Sequence, residues 1–490
     1  MSHIVCVGPD QRKKGTQMIL TKTGVVATIG PACSSEAVLL EMIQSGVTTF
    51  RMNFSHGTFE EHQQRLNMIN QIRRQLTYEI CVLGDLCGPK LRIGKIQPEG
   101  QVLQPGEEVV ICSDCPVGDL HRFGTNYPAF VQDVLPGQRV MIDDGQLVLT
   151  ATEKTAAEVR CKVLVGGAVL SNKGINLPDS KLSIPAITEK DWRWVDWAIH
   201  NNLDYLALSF VQTAAEIHHL KEYLAGRDSW IRVIAKIEKP QALENLESIL
   251  EAADAAMVAR GDLGVEMDIA EVPLAQKRIA RMCRRLGKPV IVATQVVQSM
   301  IQNASPTRAE ASDVANAVMD FTDAIMLSGE SAVGKYPVES VKAVAHICHR
   351  IEAWQDQQNI ERPMIETEPG LGELAAVARA IAQMLDHVKA KLAVVWTQAG
   401  HSVRLLSKAR MDVPILTVCP DALIARQMSL HYGVVSICQA RPRNFDDFIA
   451  TTTGVIMKNG WAAHGDRVLF VLPQDILNIQ TPLALVLRTL

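Results

Sequence analysis

The stretch Arg232-Val-Ile-Ala-Lys-Ile-Glu-Lys239 is followed after a short interval by a second apolar run, Ala255-Ala-Met-Val-Ala-Arg-Gly-Asp262. Both runs are apolar until their last residues, which predicts two short buried strands with polar side chains at their ends. Lys236, Glu238 and Asp262 would then lie at neighbouring strand ends. Carboxylates are hard oxygen ligands for Mg²⁺, and an ammonium group can neutralise a phosphoryl group during transfer. The two strands therefore predict a site for a divalent metal and a phosphate.

Six further apolar runs end in polar residues, which makes eight predicted strands. The six are Val25–Ile29, Val47–Met52, Glu79–Leu83, Tyr205–Leu208, Pro289–Thr294 and Asp323–Ser328. Amphipathic, helix-like stretches follow most of them: Ser35–Gln44, Glu60–Gln75, Ala214–Leu224, Ala242–Ala252, Leu274–Arg285 and Val338–Ile351. Eight β–α units predict an α/β fold, a (β/α)₈ TIM barrel, whose active site lies at the C-terminal ends of the strands.

The β–α pattern is interrupted between residues 95 and 185. Short alternating strands with turns such as Pro136-Gly137 and Asp144-Gly145 predict a small inserted β-barrel domain, placed to act as a lid. The catalytic barrel is predicted over residues 20–94 and 186–352, after an N-terminal extension of residues 1–19. A polar linker at 353–370 precedes a separate α/β domain of regulatory type, predicted over 371–490.

Composition limits the classes of function. A chain of 490 residues with a net charge of -4 suits roughly three domains and gives no basic surface for nucleic acid. The first residues lack a basic segment, and Gly8 and Pro9 interrupt their short apolar stretch, so we expect neither a signal peptide nor a membrane span. Eleven cysteines are scattered, mostly in apolar runs, which favours reduced thiols in a cytoplasmic protein over disulfides or zinc.

Arg51-Met-Asn-Phe-Ser-His-Gly57 follows the second strand with four kinds of polar group. Arg51 could bind phosphate bidentately, and Asn53 and Ser55 offer oxygen atoms to a cation. The alternative is that Ser55 and His56 merely cap the next helix.

Three other strand ends carry candidates. Asp85, beside Arg51 and Arg92, is a plausible cation ligand. Arg260-Gly-Asp-Leu-Gly264 predicts a turn whose free backbone N–H groups could hold a carboxylate or phosphate. Thr294 could relay a proton through water, although a buried threonine hydroxyl is more often a satisfied core group.

The chain resembles the pyruvate kinase family over roughly residues 20 to 350. The matching segments are Thr28–Ala32, Asn53–Gly57, Gly88-Pro89, Ile142–Gly145, Lys173–Pro178, Ala235–Glu238, Met257–Gly264, Lys288–Gln295, Pro306–Glu310 and Ile325–Glu330. The resemblance implies the last step of glycolysis, in which a phosphotransferase moves the phosphoryl group of phosphoenolpyruvate to ADP and gives pyruvate and ATP. It also implies a cytoplasmic homotetramer that requires Mg²⁺ or Mn²⁺.

The resemblance assigns roles to individual residues. Glu238 and Asp262 would hold the divalent metal, and Lys236 and Arg51 would contact the transferring phosphoryl group. Thr294 would lie where enolpyruvate is protonated, and the backbone of Gly261 and Asp262 would receive the substrate carboxylate. The implied nucleotide contacts are Arg51, Asn53, His56, Arg92 and Lys173. The implied monovalent-cation position is formed by Asn53, Ser55, Asp85 and the carbonyl of Leu86.

Some positions depart from the commoner family pattern, among them Gly24, Cys87, Asn172 and Val333. Lys90 stands where K⁺-dependent members have Glu, and it resembles a K⁺-independent branch. A tethered ammonium could replace K⁺ beside Asp85, so we expect K⁺ not to be required. The alternative is a solvated surface lysine.

Two other functions fit parts of the pattern. A metal-dependent 2-oxo-acid aldolase would need the metal and an enolate but neither an ADP site nor a lid. A catalytically weak metabolite sensor is motivated by Asn172 and Val333. An assay with and without ADP, and a measured turnover, separate these alternatives from a pyruvate kinase.

Overall fold

The computed structural model describes residues 21–358, 360, 372–475 and 478–490. The predicted N-terminal extension lies outside these residues, as does most of the predicted linker. The helix Pro337–Gln357 continues into the first residues that the sequence assigned to the linker. Among the described residues, no helix is long and apolar enough to cross a membrane.

Eight parallel strands form a closed barrel, which confirms the predicted fold class. Each strand pairs with the neighbours predicted by its order in the chain, and the first strand pairs with the eighth. In chain order they are Gly24–Thr28, Val47–Asn53, Cys81–Asp85, Tyr205–Leu208, Arg232–Ile237, Ala255–Ala259, Val290–Ala293 and Ala324–Leu327. Six of them are buried along their whole length, as expected for a barrel covered by helices.

The barrel strands are followed by helices, several of which begin at a capping threonine. The longer ones are Glu36–Ser45, Phe59–Arg73, Glu189–His200, Ala214–Ala225, Leu246–Ala252, Val272–Arg285, Arg308–Met319 and Pro337–Gln357. The sequence analysis did not identify Glu189–His200 or Arg308–Met319. Both start with a capping box, in which Thr188 and Thr307 accept from the backbone of the third helical residue. That local signal could have located them.

The inserted domain, called the lid below, has its own hydrophobic core. Its main sheet contains Glu108–Cys112, Arg122–Gly124, Arg139–Ile142, Leu147–Lys154, Glu158–Val165 and Ile175–Asn176. Lys95–Ile96 pairs with Val117–Gly118, and Val102–Leu103 pairs with Gly167–Ala168. The six-stranded sheet is open, whereas the sequence predicted a small barrel. Isolated bridges from Arg92 to Gly174 and from Ile93 to Thr125 join it to the barrel connection.

The C-terminal domain is a five-stranded sheet with helices. The strands are Leu392–Trp396, Ile415–Cys419, Val434–Cys438, Arg467–Asp475 and Asn478–Thr489; the helices are Gly372–Val388, His401–Lys408, Ala422–Met428 and Phe445–Asn459. The last strand, which the sequence analysis did not identify, pairs antiparallel with Arg467–Asp475 at one edge.

Two buried carboxylates connect the barrel floor, its N-terminal strand ends, to the C-terminal domain. Asp323 precedes the eighth strand and pairs with Lys408 at 2.5 Å and with Arg410 at 3.3 Å. Burial would raise the pKa of Asp323, but these two cations hold it below its usual range. The Asp323 carboxylate of the floor is therefore paired with two cations of the C-terminal domain.

Asp204 makes the second connection, just before the fourth strand. It pairs with Arg73 of the barrel at 2.8 Å and with Arg426 of the C-terminal domain at 2.6 Å. Its carboxylate also accepts a hydrogen bond of 2.7 Å from the backbone of Val82. A charge this deeply buried is tolerated because several donors satisfy it.

Candidate active site

Lys236 lies at the centre of a cluster of charges at the barrel mouth, the C-terminal ends of the strands. Its Nζ is 2.8 Å from Glu238 Oε1 and 3.3 Å from Asp85 Oδ1, and it donates to Ser209 Oγ at 2.7 Å. Burial alone would lower the pKa of Lys236, but the Asp85 and Glu238 carboxylates raise it above its usual value. The side chain therefore stays an ammonium ion at neutral pH.

Arg51 supplies the second cation of the mouth. Its Nε and Nη2 atoms each lie 2.6 Å from Asp85 Oδ2, and its Nη1 donates to Thr28 Oγ1 at 2.9 Å. Burial would raise the pKa of Asp85, but Lys236 and Arg51 hold it below its usual range. Three adjacent strands thus fix the guanidinium that the sequence predicted for phosphate binding.

Asp262 and Glu238 are the predicted metal ligands, and the structure brings them together. Burial, followed by the charge of Glu238, raises the pKa of Asp262 to about 7, although Lys236 partly opposes this. Glu238 is fixed in place, because its Oε2 accepts a 2.7 Å hydrogen bond from the backbone of Phe210. Negative charge on these carboxylates is therefore only partly compensated by the protein.

The segment after the sixth strand corrects one prediction. Residues Arg260–Glu266 form a short helix instead of a glycine turn. The Gly261 N–H, predicted to be free, donates to Thr294 Oγ1 at 2.7 Å. A Cβ atom on Gly261 would lie only 3.3 Å from that oxygen, which explains the glycine. The role of this backbone in binding a substrate carboxylate stays a prediction, and it requires Thr294 to give up the hydrogen bond.

Thr294 has a strained backbone. Its φ of 66° lies in the left-handed region, and that of Gln295 is 53°. This region is unfavourable for β-branched residues and persists where surrounding structure enforces it, often at functional sites. The Thr294 hydroxyl donates to the carbonyl of Ala293 at 2.6 Å while accepting from Gly261. The hydroxyl is thus held beside Asp262, at the mouth.

Two of the oxygen atoms predicted to bind a monovalent cation already accept hydrogen bonds within the protein. Asn53 Oδ1 accepts from the backbone of Ser55 at 3.1 Å, and the Leu86 carbonyl accepts from Ser209 Oγ at 2.7 Å. Lys90 is exposed and lines the cleft between barrel and lid. Within the described residues, the ion pairs of Asp85 are those with Arg51 and Lys236.

The cleft between the barrel mouth and the lid has a volume of about 370 Å³. Arg92 and Lys173, both predicted nucleotide contacts, line it together with Lys90 and Asp262. Arg92 Nη1 donates to the Asn172 carbonyl at 2.6 Å, and Lys173 Nζ pairs with Asp143 at 2.9 Å. The cleft therefore offers several cations next to the metal ligands.

His56, another predicted nucleotide contact, is exposed and is not among the residues that line the cleft. Its pKa is lowered by partial burial and then by the charges of Lys90 and Lys190. The imidazole therefore belongs to the same positively charged surroundings as Lys90, and it is neutral at physiological pH.

Four further residues of the site were not predicted from the sequence: Ser209, Lys239, Glu266 and Asn176. Ser209 follows the fourth strand directly, and its position after an apolar run was the available signal. Lys239 Nζ lies 3.2 Å from Glu266 Oε1, and the lid residue Asn176 donates to the same oxygen at 2.9 Å. Both members of the ion pair are buried and line the cleft. Nothing local in the sequence indicates this barrel–lid contact.

The donor set at the mouth fits a divalent metal ion. Glu238 and Asp262 supply hard carboxylate oxygens, and burial, followed by the charge of Glu238, raises the pKa of Asp262, so a bound cation would stabilise its ionised form. Within the described residues there is no cluster of three or more His, Cys, Asp or Glu side chains that could hold a metal by themselves. Mg²⁺ suits such a site, because it commonly binds one or two carboxylates and completes its shell with water and phosphate.

Comparisons with known proteins agree with this geometry. Residues 20–341 match the family model described as "Pyruvate kinase, barrel domain", and residues 375–474 match "Pyruvate kinase, alpha/beta domain". The chain is 39% identical to pyruvate kinase 2 of Synechocystis over 459 residues, which cover 93% of this chain and 77% of the relative. It is 38% identical to a pyruvate kinase of Methylorubrum extorquens, covering 92% and 93% of the two chains. A solved pyruvate kinase structure from Cryptosporidium parvum superimposes with a TM-score of 0.87 at 30% identity, covering 95% of this chain and 96% of that one.

Proposed function

This chain belongs to the pyruvate kinase family, and we propose that Lys236 and the groups around it move the phosphoryl group of phosphoenolpyruvate to ADP. The main support for these roles is the position of Lys236. Its ammonium group is mostly buried at the barrel mouth, between Asp85 and Glu238. The reaction yields pyruvate and ATP, so the chain is a phosphotransferase.

The cations of the mouth act on the phosphoryl group. Lys236 and Arg51 stabilise the negative charge that is spread over its oxygens as the bond to the enol oxygen breaks and a bond to the ADP phosphate forms. The raised pKa of Lys236 supports this role, since the residue must remain charged. Glu238 and Asp262 would hold a divalent metal, Mg²⁺ or Mn²⁺, which would supply further positive charge to stabilise the transferring phosphoryl group.

Thr294 takes part in the second half of the reaction. The enolate left after transfer needs a proton on its methylene carbon, and we assign the relay of that proton, through water, to the Thr294 hydroxyl. The hydroxyl is fixed by two hydrogen bonds and by a strained backbone. In this proposal the N–H groups of Gly261 and Asp262 receive the substrate carboxylate, and the Gly261 N–H then gives up the hydrogen bond that it donates to Thr294 Oγ1 in the free chain.

The nucleotide binds in the cleft below the lid. Arg92 and Lys173 line that cleft, which supports their role as phosphate contacts. Asn53, the last residue of the second strand, and His56, just after it, are assigned as further nucleotide contacts on the resemblance alone. Closing of the lid would exclude water from the transferring phosphoryl group.

Lys90 replaces the monovalent cation in this proposal. Its position on the cleft supports this role, and its charge contributes, after partial burial, to the lowered pKa of His56. A tethered positive charge beside Asp85 and Leu86 makes the activity independent of ion concentration. Asn53, Ser55, Asp85 and Leu86 would then surround an ammonium group instead of K⁺.

An assay of ATP formation tests the function and the cation together. ATP should form only when phosphoenolpyruvate, ADP and a divalent metal are all present, and kcat should be the same in K⁺ and tetramethylammonium buffers of equal ionic strength. Lys90→Glu should restore K⁺ dependence. Lys190→Glu, a change at a neighbouring exposed lysine, is the matched control and should not. A wild-type kcat that rises about tenfold or more with K⁺ would refute the role of Lys90 while leaving the phosphotransfer intact.

A cytoplasmic location and a homotetrameric state remain predictions from the family. Light scattering of the purified chain tests the second of these directly.

A further inference from the structure

Two cysteines of the lid are separated by only two residues, in Cys112-Ser-Asp-Cys115. The view of the cysteines as scattered core thiols overlooked this pair. Cys112 is the last residue of the strand Glu108–Cys112, and the chain then bends at Ser113 and Asp114 before it reaches Cys115. A bend of this kind brings the first and last of four residues close together.

The fold holds both cysteines against Gly124. Cys112 is the strand partner of Gly124, and a Cβ atom on Gly124 would lie 3.2 Å from Cys115 Cβ and 2.5 Å from the Cys115 carbonyl. Only glycine allows this approach. The Cys112 thiol donates to the Phe123 carbonyl at 3.5 Å, and the Cys115 thiol donates to the Val117 carbonyl at 3.6 Å.

The two thiols differ in their surroundings. Cys112 is buried, and burial together with the neighbouring Cys115 raises its pKa to about 11. Cys115 is only half-buried, so small molecules in solvent can reach it. The Arg122 guanidinium opposes this and lowers the pKa of Cys112, but Arg122 is paired with Glu158 at 2.6 Å, and the Glu158 carboxylate raises that pKa. The more accessible Cys115 is therefore placed to react first, and the buried Cys112 is the neighbouring thiol that can resolve a mixed disulfide.

We propose that Cys112 and Cys115 are a redox-active dithiol, which closes to an intramolecular disulfide by exchange with a low-molecular-weight disulfide. The Cys115 thiolate attacks one sulfur of the small disulfide, forms a mixed disulfide and releases one small thiolate, which takes up a proton. Cys112 then loses its proton to solvent and attacks Cys115 Sγ, which releases the second small thiol. Two electrons pass from the protein pair to the small disulfide, which is reduced to two thiols.

Hydrogen bonds connect the cysteine pair to the segment that carries Arg92, where the lid joins the barrel. The Cys112 carbonyl accepts from the Thr125 N–H at 3.3 Å, and Thr125 Oγ1 donates to the Arg92 carbonyl at 2.9 Å. Gly94 N–H donates to the Gly124 carbonyl at 2.8 Å. A disulfide that pulls Cys115 towards Cys112 therefore acts on the segment carrying Arg92, a proposed nucleotide contact. This consequence for activity rests on the proposed function, whereas the chemistry of the pair does not.

The first part of the test detects the disulfide in the full chain. The reduced protein is incubated with glutathione disulfide, free thiols are alkylated, and peptides are mapped by mass spectrometry. We expect the peptide with residues 112–115 to lose two hydrogens and to escape alkylation, and dithiothreitol to reverse both changes. Glutathione retained on Cys115 alone, or a bond formed between the strand partners Cys419 and Cys438 in its place, would overturn the proposal.

The second part measures activity on the same samples. Oxidation should lower kcat roughly two- to fivefold through slower lid movement, and reduction should restore it. Cys115→Ser should abolish the response, with Cys115→Ala as a second variant if the first is unstable. Cys438→Ser removes an exposed thiol elsewhere and should respond like wild type. A mapped disulfide with unchanged kinetics would refute the link to the lid, and an inactive reduced enzyme would refute the proposed function instead.

Discussion

The two ends of the barrel contain the same kinds of buried charge but balance them differently. At the floor, Asp323 faces both Lys408 and Arg410, and all three side chains are almost fully buried. Asp204 is likewise shared by two arginines. Each floor carboxylate therefore has more positive charge around it than it needs, and it connects the barrel to the C-terminal domain.

At the mouth, carboxylates outnumber cations. Asp85, Glu238 and Asp262 lie around Lys236 and Arg51, and the pKa of Asp262 rises to about 7, whereas that of Asp323 at the floor is lowered. Burial of charge therefore does not by itself identify a functional site. The floor carboxylates are paired with cations, whereas the mouth carboxylates outnumber their cations, and there we propose that a metal ion binds.

The largest effect should come from breaking the floor. Asp323→Asn leaves Lys408 and Arg410 buried without a counter-charge, so the free energy of unfolding should fall by about 3–5 kcal/mol. Urea denaturation at pH 7 measures it. The kcat per folded molecule should stay within about twofold of wild type, because the reacting groups lie at the opposite end of the barrel.

The control for the floor is an exposed ion pair. Asp386 and Lys389 lie 3.6 Å apart with side chains that are 62% and 83% exposed. Asp386→Asn should change the free energy of unfolding by no more than about 0.5 kcal/mol. A loss at Asp323 as small as that at Asp386 would show that the floor ion pairs do not hold the domains together.

The next effect concerns the mouth. Lys236→Met removes a charge that acts mainly in the transition state, so kcat should fall on the order of 10²- to 10³-fold with little change in KM. Steady-state kinetics on a variant with a measured melting temperature tests this. Lys221→Met, which breaks the 2.9 Å ion pair with Asp254 away from the mouth, is the control and should leave kcat nearly unchanged. A Lys236 variant within tenfold of wild type would contradict the assignment.

The pH dependence of metal binding tests the charge balance at the mouth. With a pKa of about 7 without metal, Asp262 is ionised above pH 7, so Mn²⁺ affinity should be constant there. Below pH 7 a proton competes, and affinity should fall by up to about tenfold for each pH unit. In the metal-free protein, the raised pKa of Asp262 in the folded state adds to the free energy of unfolding at low pH. That contribution is lost as the pH rises from about 4 to 7.

Electron paramagnetic resonance of Mn²⁺ measures that affinity between pH 6 and 8. Asp262→Asn should bind the ion weakly and without the pH dependence. Asp143→Asn, which changes a carboxylate of the same cleft that is paired with Lys173, should keep it. Equal affinity of the wild type at pH 6 and pH 8 would mean that Asp262 is not the competing group.

The smallest effect should come from the contact between lid and barrel. Asn176→Ala removes the 2.9 Å hydrogen bond that Asn176 donates to Glu266. A hydrogen bond of this kind is worth about 1 kcal/mol. We therefore expect KM for ADP to rise by roughly fivefold. Gln71→Ala, which removes an exposed hydrogen bond to Glu36, should leave KM unchanged. If both variants give the same KM, the lid does not depend on this contact.

Much of the barrel could be predicted from the sequence. Each strand is a short apolar run followed by a polar residue, and that pattern is local, so it survives without knowledge of the neighbours. The strand Asn478–Thr489 was not predicted from the sequence. It lies at the edge of the sheet, where it pairs with Arg467–Asp475, and that position is defined by the tertiary structure.

The functional site was likewise predictable from the sequence only in part. The chemical groups at the strand ends, including Lys236, Glu238 and Asp262, could be predicted from the sequence, because strand direction places consecutive C-terminal ends on one face. The tertiary structure was needed to show that the Gly261 N–H donates to Thr294, that Asn176 contacts Glu266, and that floor and mouth differ in the balance of charge. The reason is physical: pairing and pKa depend on distances between residues far apart in the chain, and those distances are fixed only when the barrel closes.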